Sequence, residues 1–346
     1  MKNLKKLSCF LAVLMTITIL AGCSKSKVPA EPTSKTALVL GTVCTITLYD
    51  SDDTEIIDKA IARLSELEDI LSINKTGTEL DLVNDMSGIE PVKVSKDTLT
   101  VVKEGLKYSK LSNGTMDITV GPLVKLWGIG TEWAAVPTQE DIETAKSLIN
   151  YEDVVIDEAN STIYLKKPGM KIDLGAIAKG YAADEVAKLL KDNSVKSAIV
   201  NLGGNIFVLG NKVDGSDWKV GVQNPENDGD STIGYVTVTD KSVVTSGIYE
   251  RYFEEDGKKY HHILSPETGF PYENEILGVS ILSDLSIDGD SLSTTLFALG
   301  VEEGLKLIES LEGVDAIFVT KDHKLHMTKG FEEIFTLTNT DYSVAE

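Results

Sequence analysis

Residues 154–190 read VVIDEANSTIYLKKPGMKIDLGAIAKGYAADEVAKLL. The first half, Val154 to Asp173, alternates short β-branched runs with turn residues such as Asn160 and Pro168-Gly169, the pattern of short strands. The second half, Gly175 to Leu190, reads as a helix. Ser197 to Lys259 is mostly strand-like runs broken by Gly, Asn and Asp turns. A strict βαβ repeat is therefore absent, and the order predicts an α+β fold of mixed, largely antiparallel sheets with packed helices.

The flanks agree. Leu38 to Tyr49 is rich in Val, Thr and Ile and reads as a strand. Ile56 to Leu71 has apolar residues at helical spacing. A second helix is expected from near Ser95 to before Asn113-Gly114, a stop signal. A third starts near Thr138, with Asp141 three residues on in a capping-box arrangement. Downstream, Ile276–Ser283 reads as a strand, and Ser291–Leu299 and Val301–Leu311 as helices. Val314–Val319 and Lys324–Met327 read as closing strands.

The first 37 residues are of a different kind. Lys2, Lys5 and Lys6 precede an uncharged apolar run, Leu7 to Leu20, and then small residues. That is the order of a secretory signal, and the run is shorter than the roughly 20 residues a membrane span needs. Leu20-Ala21-Gly22-Cys23 resembles the lipobox of bacterial lipoproteins, in which the cysteine is acylated. The expectation is a signal peptide over 1–22, a lipid on Cys23, a flexible tether over 23–37 and a catalytic or binding domain over 38–340, as one domain or two lobes. The location implied is the extracytoplasmic face of a cell membrane.

The signal carries three lysines and no acid, so its loss takes the formal charge from −21 to −24. So acidic a chain is a poor general binder of nucleic acid. An anionic ligand would need local positive charge, for which a bound metal is one source. Cys44 is the one cysteine left once Cys9 and Cys23 are set aside, so no intrachain disulfide is expected. Its place in a strand-like run suits a buried residue.

Several motifs fail. No P-loop is present, and the glycines of Asn201–Asn205 do not continue into a dinucleotide fingerprint. Asp284–Gly289 imitates half of an EF-hand loop, but its twelfth position is Thr295 rather than Glu. His323 and His326 have no ligand arrangement around them.

Four segments can carry chemistry, each also readable as plain structure. Asp173-Leu174-Gly175-Ala176-Ile177-Ala178-Lys179 is either a capped helix start with a solvated lysine or a close-approach anion site. His261-His262-Ile263-Leu264-Ser265 offers a strand-end histidine, as a general base or as a satisfied structural residue. Asp290 and Thr294 share a helical face and supply hard oxygen donors suited to Mg²⁺, or else belong to an ordinary helix start. Thr115 to Pro122 reads as a polar turn entering a strand.

In this order, with Gly41-Thr42, Leu126-Trp127-Gly128, Asn201–Gly204 and Thr245-Ser246-Gly247, these segments resemble the ApbE family of FAD:protein FMN transferases over roughly residues 40–340. The resemblance implies an ApbE-like fold. It also implies Mg²⁺-dependent cleavage of FAD, with FMN passed to a Thr or Ser of an acceptor flavoprotein, such as an extracytoplasmic redox-complex subunit, and AMP released. By position, it assigns His262 as base. Leu40, Asn74, Thr115, Met116, Asp117, Asp173, Lys179 and Leu264 would bind FAD, and the Ala176 carbonyl, Asp290, Ser293 and Thr294 would hold metal. Two positions depart from the family pattern. Ser265 stands where an Asp is frequent, and Asn74 where a residue that packs on FAD is usual, which favours turnover including hydrolysis to FMN and AMP. A solute-binding lipoprotein is the competing class; it would return its ligand intact.

Overall fold

A computed structural model describes residues 31–226 and 231–345. The signal peptide, Cys23 and the first part of the tether lie outside the described residues. The chain opens on a hairpin of β1 (Thr33–Val39) and β2 (Thr42–Leu48), followed by α1 (Thr54–Leu71), α2 (Glu79–Asp85), β3 (Val92–Lys93), α3 (Lys96–Leu111), α4 (Gly121–Trp127) and α5 (Gln139–Lys146). A second hairpin, β4 (Val154–Asp157) and β5 (Thr162–Leu165), leads into α6 (Ala178–Asp192). Eight strands come next: β6 (Ala198–Leu202), β7 (Asn205–Leu209), β8 (Trp218–Gln223), β9 (Thr232–Val238), β10 (Lys241–Gly247), β11 (Tyr252–Glu255), β12 (Lys258–His261) and β13 (Ile276–Ser283). The chain ends with α7 (Ser286–Leu299), α8 (Val301–Glu309), β14 (Val314–Thr320), β15 (Lys324–Met327), α9 (Lys329–Ile334), β16 (Phe335–Leu337) and β17 (Ser343–Val344).

The expected α+β class holds. One nine-stranded sheet runs β1-β2-β6-β7-β10-β13-β14-β15-β17; its ladders are antiparallel except β15 with β17. The main apolar core joins α1, α3, α6 and α7 to this sheet, with Leu64, Val101, Val186 and Leu296 fully buried. A second cluster, around Val220, Val236 and Phe331, lies under the small sheet β16-β9-β8.

Local chemistry explains most boundaries. Ser95 caps α3, its hydroxyl accepting the Thr98 N–H, and Thr138 caps α5 through the Asp141 N–H. Cys44 is buried, and burial raises its thiol to about 11.

Six readings need correction. Leu38–Tyr49, read as one strand, is broken at Leu40–Gly41 by the turn that joins β1 to β2. Residues 33–37, taken as the end of the tether, belong to β1, where Ser34–Thr47 and Thr36–Thr45 hydroxyl pairs link β1 to β2. The Thr115–Pro122 segment enters α4 and not a strand, with Pro122 in the first helical turn. α6 begins at Ala178, later than expected, because Asp173 accepts the Gly175 N–H at 2.7 Å and turns the chain first. α7 begins five residues earlier than expected. Its N-terminal amides Ser286 and Ile287 are capped at 2.8 and 2.9 Å by Asp184, a residue of α6. β15 does not close the chain, since α9, β16 and β17 come after it.

Candidate active site

The site forms where the start of α6 meets α7. A Cβ built on Gly180 would lie 2.4 Å from the Ser286 carbonyl oxygen, so only glycine permits this helix approach. Asp290, 2 % exposed, sits one turn into α7. Its Oδ1 meets Lys179 Nζ at 3.2 Å and its Oδ2 accepts the Gly180 N–H at 2.9 Å. Burial opposes charge on Lys179, but Asp290 and Glu250 outweigh it and hold the lysine above its ordinary range. Lys179 is therefore a cation at neutral pH.

The oxygen donors fit a small hard cation. No hydrogen bond from the described residues reaches the Ala176 carbonyl or the Thr294 hydroxyl, while the Asp290 carboxylate is already desolvated. Among the described residues no three His, Cys, Asp or Glu side chains gather into a metal cage. One carboxylate, one carbonyl and one hydroxyl suit Mg²⁺, which keeps waters and takes substrate phosphate oxygens. Ser293 is differently placed. Its hydroxyl is occupied by the Asp290 carbonyl at 2.8 Å and the Ser246 hydroxyl at 2.7 Å, which ties α7 to β10.

His262 comes directly after β12. Its N–H donates to the Arg251 carbonyl at 3.1 Å, and its ring Nδ1 lies 3.3 Å from the same oxygen. Donation from Nδ1 leaves Nε2 as the basic nitrogen. Burial first, then the Arg251 guanidinium and His261, lower its pKa to about 3. His261 is the structural partner. It is buried, Nε2 lies 2.8 Å from the Tyr272 carbonyl, and Nδ1 accepts the Ile263 N–H.

The remaining candidates divide. Leu40 forms the β1–β2 turn at φ 56°, ahead of Gly41 at φ 67°. A leucine in left-handed backbone is strained, and the turn is pinned by Glu68 accepting the Gly41 N–H at 3.2 Å. Asn74 is exposed beside Ile73, whose carbonyl accepts from Lys125 at 2.6 Å. Asp173 is half-buried; burial raises its pKa against the Gly175 N–H, Lys125 and Arg251. Thr115 is half-buried, its carbonyl accepting the Tyr272 hydroxyl at 2.8 Å.

Three side chains are packed within the protein. Met116 is in the main core, and Leu264 packs with Leu123 and Trp127 in a third cluster. Asp117 is buried, with its oxygens taken by Thr119 and by the Tyr151 N–H at 3.0 Å. Sequence reasoning passed over Lys125, Glu250 and Arg251, which set the field around Asp173, Lys179 and His262.

The family model described as "ApbE family" matches residues 40–318. This chain belongs to the ApbE family. Among relatives of this ApbE-family chain is the FAD:protein FMN transferase of Klebsiella pneumoniae (strain 342), 37 % identical, with 90 % of this chain and 97 % of the relative aligned. The FAD:protein FMN transferase of Treponema pallidum (strain Nichols) is 35 % identical over 92 % and 93 % of the two chains. The ApbE fold matches the crystal structure of the Thermotoga maritima ApbE protein with TM-score 0.81 and 30 % identity, over 88 % of this chain and 99 % of that one. The flavin transferase ApbE of Vibrio cholerae gives TM-score 0.80 and 30 % identity, over 88 % and 100 %.

Proposed function

We propose that this ApbE-family chain is an enzyme, a transferase that moves FMN from FAD to a Thr or Ser hydroxyl of an acceptor flavoprotein and releases AMP. The observation that carries the reading is the junction of α6 and α7. It pairs a desolvated Asp290 with Lys179, whose charge also acts on His262, a ring left with Nε2 unprotonated. The names of the relatives and solved neighbours support the same chemistry.

Phosphoryl transfer needs positioning and charge neutralisation more than covalent help. Asp290, Thr294 and the Ala176 carbonyl would hold Mg²⁺, which when bound neutralises charge on the diphosphate. Lys179 holds the diphosphate from the protein side. Nε2 of His262 takes the proton from the acceptor hydroxyl, whose oxygen attacks the flavin-side phosphorus. The bond from that phosphorus to the bridging oxygen breaks, and AMP leaves with the electron pair. The enzyme works at the extracytoplasmic face of a membrane, anchored by lipid on Cys23.

A second reading, FAD hydrolysis to FMN and AMP, is favoured by Asn74, an exposed amide where a packing residue is usual. Incubation of the purified protein with FAD, Mg²⁺ and a candidate acceptor separates the two. Transfer yields AMP and covalent flavin in equal amounts; hydrolysis yields AMP and free FMN. Intact FAD after prolonged incubation refutes both.

A further inference from the structure

Of the 33 basic residues in this chain, two are arginines, Arg63 and Arg251. Arg63 is fully committed, with Glu66, Asp97 and Glu185 at 2.9, 2.7 and 2.8 Å. Arg251 is the opposite case. It is exposed ahead of β11, and among the described residues no carboxylate lies within ion-pairing distance of it. Among the described residues its guanidinium makes one hydrogen bond, Nη2 to the Gly41 carbonyl at a long 3.5 Å. Two glycines border it, and a Cβ on either would stand at ordinary van der Waals distance. A Cβ on Gly41 would come 3.8 Å from Nη2, and one on Gly130 would come 3.6 Å from Cδ.

Its guanidinium stands at the Gly41 carbonyl, next to Leu40 of the candidate FAD site. Arg251 acts on Asp173, Lys179, Glu250 and His262. Lys179, the other cation at the centre, already has Asp290 as partner. A chain of formal charge −21 thus places an uncommitted guanidinium beside the candidate base.

We propose that Arg251 is a substrate-binding residue that grips the diphosphate of FAD; the inference rests on the diphosphate-cleaving reading of the site. A planar guanidinium matches phosphate oxygens with two parallel N–H donors, which an ammonium cannot do. The same residue's main-chain carbonyl receives both the N–H and Nδ1 of His262. One residue therefore sets the substrate's phosphorus and the base in a common frame.

The test is equilibrium binding of FAD, ADP and riboflavin to the purified protein with Mg²⁺, for wild type, Arg251→Ala, Arg251→Gln and Arg251→Lys. Loss of a bidentate charged contact should weaken FAD and ADP on the order of tenfold to a hundredfold. Riboflavin, which has no phosphate, should bind as in wild type, and Arg251→Lys should recover part of the loss. Unchanged FAD and ADP affinity overturns the proposal. So does an equal loss for all three ligands, which would mark Arg251 as a prop for the Leu40–Gly41 turn. Should Arg251→Ala fold poorly, the Gln and Lys variants decide alone. Wild type that binds FAD but releases no AMP would refute the transfer reading and leave this comparison intact.

Discussion

Asp290→Ala should cost stability as well as activity, and the two losses can be worked separately. The carboxylate is buried and accepts the Gly180 N–H at 2.9 Å; leaving that donor unpaired costs about 1–3 kcal/mol. Lys179 loses its nearest counter-charge, and removing one partner of a buried pair costs about 3–5 kcal/mol. The lysine side chain is 20 % exposed and Glu250 still acts on it, so the overlapping losses should total about 3 kcal/mol, the low end. At about 2 °C per kcal/mol for a large domain, melting should fall by about 6 °C. Asp290→Asn keeps an acceptor for Gly180 and should lose about half as much. Adding Lys179→Met to Asp290→Ala should recover part of the loss, because no unpaired charge then remains. Melting is followed in chelator, and FAD cleavage across a Mg²⁺ titration. An Ala variant that melts with wild type and cleaves FAD at the wild-type rate at every Mg²⁺ concentration would refute the reasoning.

His262→Ala should bind FAD nearly normally but transfer FMN about 10²–10⁴-fold more slowly, read as covalent flavin against time; a near-normal rate removes this base from the mechanism. His261→Ala should lose stability, by about 1–3 kcal/mol, because the Tyr272 carbonyl and Ile263 N–H both lose a partner; a denaturant titration identical to wild type contradicts that. Burial and Arg251 hold His262 at about 3, so its basic form persists below the ordinary histidine range and is lost only as pH falls through the lowered value. The acid limb of kcat/KM should lie below the ordinary histidine value of 6.5; a limb at or above 6.5 counts against this environment. Cys23→Ser should abolish lipid labelling and release the protein from the membrane fraction, and a variant that fractionates with wild type sinks the anchor.

Where structure depends on neighbours in the chain, the sequence was readable. Ser95 and Thr138 cap helices through residues three positions away, and β13 has the bounds its apolar run announces. Asp290 and Lys179 lie 111 positions apart, yet their segments stood out because each carries an unusual local pattern. The illegible features depend on distant partners. The start of α7 is set by Asp184, 102 positions earlier. Met116, Asp117 and Leu264 stand in informative segments, but whether a side chain faces ligand or core is decided by what packs beyond it. Arg251 sits in no motif; its scarcity among 33 basic residues was the available sign.

The crossing at Gly180 gives this scaffold a spacer of atomic fineness. A methyl group there would fall 2.4 Å from the Ser286 oxygen and 2.7 Å from the Ile287 Cα, so the helices must part to admit it. Lys179 adjoins the contact on one helix, and Asp290 lies about one turn beyond it on the other. Any widening is therefore delivered to the ion pair, over a few ångströms and with no loop in between to absorb it. Substitution has room only at exposed positions such as Lys188 and Lys191 of the first helix, since no residue of the second is exposed; the distance between their axes is fixed by the absence of a single carbon atom.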